Sequence, residues 1–494
     1  MSSKRINLIT LGIMLSLFLA SMEGTVVATA MPSIVAQLGG LSIYSWVFSI
    51  YMLTSTTSVP IYGKLSDLYG RKIVYIVSMG LFLIGSVLCA QAQTMEQLIL
   101  FRAVQGLGAG GVLPLAFIII GEIFTLEQRA RMQGFFSGVW GVSSVVGPLI
   151  GGFFVDQISW HWVFYINILP GFLAAGLVWF AWKDTLRVPG ARVQVDFPGA
   201  ALLTLGALAL LLGLNELGTP FGWWSLGFSM VMFAGLFWVE RRAPDPILPL
   251  ELFKDRIFNV SVIHGVFAGA AVFGSLSYVP LFIQAVLGTS ATQAGITLTP
   301  MSLSWTIASI FGGNLLLRMG YRTLALTGMV VLTIGAFFMT RIDASTSQIA
   351  VMVYTGLMGV GMGLSVPAFL IAVQSSVRRQ QLGVATSTLQ FSRSIGGTLG
   401  VSVLGAFLSS NLAARLIQAG LDPNAISLNS LLDPLAHGSA AVDGALRQAL
   451  AATIAGMFLI SFIAALIALV TTFFTPAGKI SQIQRASEIQ PGID

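Results

Sequence analysis

Charge is what this sequence has least of. Of its 494 residues only 9% are Asp, Glu, Lys or Arg, while 55% are hydrophobic. A soluble domain carries roughly 25% charged residues, so too few remain here to cover a water-facing surface. A soluble globular enzyme, a nucleic-acid-binding domain and a disordered chain are excluded on this ground. Cysteine is nearly absent: Cys89 stands alone inside an apolar run, which rules out an intrachain disulfide. The three histidines, His161, His264 and His437, are too far apart for metal-ligand spacing. No Walker A sequence or nucleophile–base set is visible, so the reading is of a non-enzymatic chain that uses neither ATP, metal nor cofactor.

What the chain has in quantity is long apolar runs, and a mean hydropathy of +0.87. They fall at about 6–31, 44–62, 73–92, 97–120, 132–155, 162–182, 197–217 and 223–240, then 257–283, 293–317, 323–341, 349–374, 383–410 and 447–475. Each is close to the roughly 20 residues that cross a bilayer, giving fourteen expected transmembrane helices in an all-α polytopic membrane protein. The first run contains Glu23 and exceeds a signal-peptide core, so it reads as a retained helix. The one long loop is expected at about 411–446, where Asp422-Pro423-Asn424 and Asp433-Pro434 mark turns.

Placing the N-terminus in the cytoplasm puts 20 of the 25 Lys and Arg on that side; the exceptions are Arg102, Arg341, Arg393, Arg415 and Arg447. This asymmetry is the positive-inside rule, and it predicts an even helix number with both termini cytoplasmic. It also accounts for the net charge of +6 without a nucleic-acid partner.

The chain repeats itself. Gly63, Leu65, Gly70 and Lys72 recur 250 residues on as Gly313, Leu315, Gly320 and Arg322. Gly106, Gly108, Gly110 and Pro114 recur 253 residues on, and Gly134, Gly147 and Gly151 recur 249 residues on. The pattern is a duplicated six-helix unit, with two further helices between the copies. The expected domains are an N-terminal six-helix bundle (1–182), a linker with two extra helices (183–256), a C-terminal six-helix bundle (257–475) and a cytoplasmic tail (476–494). Parallel repeats of this kind serve alternating access in transporters.

Glu23 is the carboxylate deepest in an apolar run, where a central charge costs about 2.5–3.5 kcal/mol on insertion scales. Burial and a neighbouring cation act in opposite senses on a carboxyl's proton affinity, so such a group can exchange protons as its surroundings change. A permanently protonated glutamate bonding helix to helix is the alternative. Counted at 1.5 Å per residue, Glu23 lies about 13 Å below the outer end of the first span and Arg102 about 9 Å below that of the fourth. The two side chains are therefore expected to meet, with Gln105 one turn deeper, unless Arg102 snorkels alone to the headgroups. Arg393, about 15 Å into the thirteenth span, has no acidic partner at its depth and receives no role. Glu216 reads as an interfacial group.

Gly106 to Gly111 match a GxGxxG pattern, but on a spanning helix they mean close packing and not a dinucleotide site. Gly147-Pro148 and Gly151-Gly152 in the fifth span imply either a bend or sliding interface, or plain tight packing. Phe267, Phe273 and Tyr278 on the ninth span, with Met358, Met362 and Phe369 on the twelfth, are candidate cavity residues beside Gln105. The duplication pairs these spans with the first and fourth, which carry Glu23 and Arg102, and polarisable side chains suit a loosely specific apolar ligand. Placement in the core or against lipid is the alternative for each.

At this point the residues resemble the major facilitator superfamily. Gly63-Lys64-Leu65-Ser66-Asp67-Leu68-Tyr69-Gly70-Arg71-Lys72 resembles its loop 2–3 signature, and Arg102-Ala103-Val104-Gln105-Gly106 its helix-four motif, associated with proton transfer. Gly138 through Gly152 resembles the antiporter motif of helix five. Met22-Glu23-Gly24-Thr25-Val26-Val27 resembles the helix-one motif, with Glu23 where aspartate is usual, and His161 stands where arginine is usual. Together with Trp160-His161-Trp162-Val163-Phe164-Tyr165-Ile166-Asn167, the fourteen spans resemble the drug:proton antiporter branch. The resemblance implies the major facilitator fold, proton coupling through Glu23 and Arg102, and a latch between bundles formed by Gly63, Asp67, Gly70, Arg71 and Lys72. It implies a plasma-membrane carrier (inner membrane in a bacterium) that exports hydrophobic, often cationic, small molecules against protons and works as a monomer. Its partners are then the substrate, protons and the bilayer. The alternatives are export of a lipid, siderophore or metabolite by the same machine, or a membrane sensor that does not transport.

Overall fold

Helix is the only regular element that satisfies its own backbone inside lipid, and sequence this apolar forms little else. The computed structural model describes residues 3–39, 43, 46–182, 196–244, 246–289, 291–418 and 440–477. The first half comprises α1 (Ser3–Leu38), α2 (Trp46–Tyr69), α3 (Arg71–Ala90), α4 (Met95–Ile123), α5 (Leu126–Gln157), the short α6 (Trp162–Tyr165) and α7 (Ile168–Ala181). The hairpin α8 (Phe197–Asn215) and α9 (Pro220–Glu240) follows. The second half comprises α10 (Arg256–Leu281), α11 (Ala291–Met319), α12 (Tyr321–Met339), α13 (Gln348–Ser376), α14 (Leu382–Gln418) and α15 (Ala440–Phe473).

All fourteen expected runs are helical. Among the described residues, 12 helices are long and apolar enough to cross a membrane. The runs 44–62 and 132–155 lie in α2 and α5, which have the length but are more polar: α2 carries Thr54-Ser55-Thr56-Thr57-Ser58, and α5 opens with Glu127, Arg129 and Arg131. Three boundaries differ from expectation. α1 continues past the expected end at residue 31 to Leu38. The run 162–182 breaks between α6 and α7 around Asn167, where Pro170 cannot donate the amide bond that would continue the helix. The expected loop 411–446 is helical at both ends, up to Gln418 and from Ala440; its two Asp-Pro turns lie outside the described residues, as do His437 and 478–494 of the tail.

The duplication is visible in how the glycines seat. On α4, Gly106 faces Tyr51 and Thr54 of α2, and Gly108 faces Ser78 and Phe82 of α3. At the equivalent places on α13, Gly359 faces Met301 and Ser304 of α11, and Gly361 faces Gly328 and Leu332 of α12. A Cβ at any of the four would fall 2.1 to 2.4 Å from its nearest neighbouring backbone or side-chain atom, so only glycine lets these helices approach so closely. The turns match as well: Gly70 (φ 93°) joins α2 to α3 and Gly320 (φ 82°) joins α11 to α12, each in the left-handed region that glycine occupies without strain.

The halves meet through α2 against α14 and α5 against α11, the same pairing with its partners exchanged. These contacts gather at the end of the bundle that carries the basic loops. One apolar core there draws Tyr62, Phe117 and Phe136 from the first half and Leu364, Phe369 and Leu389 from the second. The α8–α9 hairpin lies along the α2/α14 seam, with Leu208 and Leu211 near Leu53 and Ile395.

Candidate functional site

Glu23 and Arg102 meet. α1 and α4 pack so that Arg102 Nη1 donates to Glu23 Oε1 at 2.6 Å, and both side chains are 1% exposed. Gln105 completes a triangle: it accepts from Arg102 Nη1 at 2.8 Å and donates from Nε2 to the same Glu23 oxygen at 2.9 Å. The far side of the carboxylate is held by Asn167, whose Nδ2 donates to Oε2 at 2.8 Å and also to Ser86 at 2.9 Å. Gln105 in turn donates to Ser86, and Ser86 to the Phe164 carbonyl. Arg102 has two further supports: its Nε donates to the Val47 carbonyl at 3.2 Å, and its guanidinium lies 4.0 Å over the Tyr51 ring. A planar fork can serve a carboxylate, an amide, a carbonyl and a ring face together; a lysine could not.

The carboxylate is thus enclosed by protein, accepting three hydrogen bonds: two from α4 and one from Asn167, between α6 and α7. Ser86 and Tyr51 were not singled out in the sequence, because Ser and Tyr occur throughout apolar helices. Asn167 figures there only as the last residue of segment 160–167, without a role; the helix break beside Pro170 is a second signal at that position.

The site belongs to one half only. The repeat offsets carry Glu23 to Phe273 and Gln105 to Met358, so its symmetry mate is apolar. Met358 is fully buried and packs against Gly335 of α12. Phe273 packs on Gly397 and Trp305, the Tyr278 hydroxyl donates to the Val401 carbonyl at 3.0 Å, and Phe267 is half-buried against the second half's core. Met362 and Phe369 line a cavity of about 30 Å³ between α10, α13 and α14, together with His264, Gln390 and Arg393. The seven candidate cavity residues therefore divide among three places.

The loop between α2 and α3 forms a second charged cluster. Asp67 accepts the backbone amides of Gly383 and Val384, at 3.0 and 2.9 Å, at the N-terminus of α14 in the opposite half. A helix N-terminus presents free N–H groups and partial positive charge, which suits a carboxylate. Arg71 pairs with Asp67 at 2.5 Å and with Glu122 at 3.3 Å, and Glu122 reaches Arg379 across the halves at 2.9 Å. Gly63 sits against Gly383 and Ser387, where a Cβ would fall 2.0 Å from the Ser387 hydroxyl. Lys72 points away, its ammonium 4.3 Å over Trp179. Glu122, near the end of α4, and Arg379, just before α14, are the members that sequence reasoning missed, since charges at helix ends are ordinary.

Gly147 and Gly151 press α5 onto α1, facing Thr25 and Thr29; Gly152 faces open space, and the Pro148 side chain lies outside the described residues. The same helix bonds to α11, where Ser137 donates to Ser309 at 2.9 Å and Thr306 to the Ser137 carbonyl. α5 therefore connects the Glu23 helix directly to the opposite half. His161 stacks on Trp160 and shares a 2.6 Å hydrogen bond with Ser159, and burial pushes its imidazole below the usual histidine value. Glu216 caps the end of α8. Among the described residues, no group of three metal-ligating side chains converges.

Residues 13–401 match the family model described as Major Facilitator Superfamily. The chain is 41% identical over 414 residues to Multidrug transporter protein MdtP of Bacillus subtilis (strain 168), covering 83% of this chain and 76% of that one. It is 35% identical over 490 residues to Multidrug resistance protein 3 of the same organism, covering 96% and 95%. Among solved structures, the proton:xylose symporter XylE superposes with a TM-score of 0.67 at 13% identity, covering 98% of this chain and all of that one. The human organic anion transporter MFSD10 gives 0.61 at 14% identity, covering 94% and 100%. At such identities the structures speak to the fold alone.

Proposed function

The chain belongs to the major facilitator superfamily, and we propose that it is a proton-coupled antiporter exporting hydrophobic, often cationic, small molecules by alternating access. The observation that carries this reading is the Glu23 carboxylate, buried against Arg102 and tied to Gln105 and Asn167. The names of its relatives, a multidrug transporter and a multidrug resistance protein, favour drugs over a single metabolite.

In this reading the basic-loop end is cytoplasmic, and the contacts of Asp67, Glu122 and Gly63 with α14 and Arg379 close that end. Substrate is taken from the cytoplasm or inner leaflet while Glu23 is charged. A proton arriving from outside displaces it, and release of that proton inward resets the carrier. Protonation removes the Coulombic pull on Arg102, freeing α4 and α1 to shift relative to one another. The Gly147 and Gly151 contacts pass the shift to α5, and α5 passes it to α11 in the other half. Each proton moving through 100 mV supplies about 2.3 kcal/mol, before any pH gradient is added.

The test is gradient-driven efflux in reconstituted vesicles, screened across dyes, organic cations, lipids and metabolites. Uptake of cationic dyes that collapses with the proton gradient supports the reading. Transport confined to a lipid or metabolite, or ligand binding without counterflow, contradicts it.

A further inference from the structure

Arg393 is a deep cation that the mechanism leaves unused. It lies in α14, eleven residues or about 16 Å from the start of that helix. Arg393 is partly buried; the two fully buried arginines are matched, Arg102 by Glu23 at 2.6 Å and Arg71 by Asp67 at 2.5 Å. Among the described residues, no carboxylate lies within ion-pair distance of Arg393; its side-chain hydrogen bond goes to the neutral amide of Gln390, one turn earlier. Repetition does not explain it either, since the offset of 249 carries Arg393 back to Ser144. A partly buried charge at this depth without a counter-ion is costly unless water or an anion reaches it.

What lies in front of it is a cavity. Its wall is mostly apolar, with Met362 and Phe369 among the lining, and Ser261, His264, Gln390 and Arg393 bring the few polar atoms that border it. The imidazole of His264 is fixed there by the Phe369 ring, 4.4 Å away, and by Met329 Sδ at 3.2 Å. Its 30 Å³ admits a small polar group and not a whole drug, since drug-sized ligands occupy about 300–1,000 Å³. Phe369 and Leu389, which line it, also belong to the core that joins the two halves, so parting of the halves would uncover the rest of a binding surface.

We propose that this cavity is the subsite for an anionic, hydrogen-bond-accepting group, a carboxylate, carried by an otherwise apolar aromatic substrate, with Arg393 as its counter-ion. The inference rests on the export reading and adds to its substrates those that bear an acidic group: the second half holds that group, while the first half handles the proton. A guanidinium offers a carboxylate two parallel N–H donors, which a neutral amide of the same shape cannot match. The preference for carboxylate over amide should therefore be about 10-fold to 100-fold.

The experiment is calorimetric titration of the full chain in detergent with naphthoate, naphthamide and naphthylmethylammonium. Wild type should bind naphthoate at least tenfold tighter than naphthamide. Arg393→Gln should lose that preference and bind the ammonium probe at least as tightly as wild type, since a repelling cation is gone, and Arg393→Lys should keep part of the acid preference. Equal binding of acid and amide by wild type overturns the proposal with no variant needed, as does a preference that survives in Arg393→Gln. Binding in detergent needs no gradient. Selective naphthoate binding without vesicle transport would count against the export reading alone, and gradient-driven dye export without acid selectivity would count against this inference alone.

Discussion

Replacing Glu23 by glutamine is the sharpest perturbation the geometry allows, because its structural and functional consequences separate. The variant keeps shape and one carbonyl oxygen, which can still accept from Arg102 and Gln105. Its new NH2 group faces Asn167 Nδ2, donor against donor. Asn167 Oδ1, however, has no hydrogen-bond partner, so turning that amide over offers the new donor an acceptor. The flip gives up the Asn167–Ser86 hydrogen bond, about 1 kcal/mol, and the larger cost is an arginine buried without its counter-charge. Removing one partner of a buried pair destabilises by about 3–5 kcal/mol; the Val47 carbonyl, Gln105 and the Tyr51 ring still serve Arg102, which places the loss at the lower end. Adding Arg102→Gln should recover most of it. Thermal unfolding in detergent measures both steps, and vesicle efflux measures function. The expected result is a folded Glu23→Gln protein with no gradient-driven export, and a double variant that is stabler but equally inactive. Gradient-driven export at the wild-type rate by Glu23→Gln, or additive stability losses in the double variant, would refute the reasoning.

Other predictions follow the same contacts. Gly63→Ala places a Cβ 2.0 Å from the Ser387 hydroxyl and 2.8 Å from the Gly383 carbonyl, so the basic-loop end cannot close; transport should be lost, and Ser387→Gly should rescue it only in part, because the backbone clash remains. Asp67→Asn leaves one acceptor oxygen for two α14 amides and turns its NH2 toward the other, so one bond is lost and one loses its charge, costing the closed state about 1.5–3 kcal/mol; spin-label distances between α2 and α14 should shift toward separation, and unchanged distances would contradict the latch. In the antiporter motif, Gly147→Ala meets the Thr25 hydroxyl at 2.1 Å and should lower stability by about 1–3 kcal/mol, relieved by Thr25→Ala. Gly152→Ala faces open space and should change the melting temperature little; comparable losses at both positions would contradict the packing account.

How far the sequence reaches depends on whether a residue type is rare in its setting. Glu23 and Arg102 stand out because charge is scarce at hydrocarbon depth, and counting helical rise from the ends was enough to bring them to the same level. The glycine repeats stand out because spacing survives where identity drifts. Asn167 and Ser86 do not stand out, since a polar neutral side chain in an apolar helix is ordinary; only the fold brings Asn167 144 positions along the chain to Glu23. Glu122 was hidden for a related reason, since a carboxylate at a helix end looks solvated until the opposite half closes over it. The extension of α1 to Leu38 and the break at Asn167 show where local pattern yields to packing. The uneven allotment of chemistry between the halves, acidic site in one and unpaired arginine in the other, was present in the sequence but had no meaning until the cavity beside Arg393 was seen.

The central claim is that substrate and proton compete through Glu23. It is met most directly by measuring protons released into weakly buffered detergent solution when an exported dye binds the purified protein. Wild type should release protons on dye binding at a pH where the site is partly protonated, and Glu23→Gln should bind the dye and release none. Equal release by the two proteins, or dye binding to wild type with no release at any pH across the titration range, would contradict it.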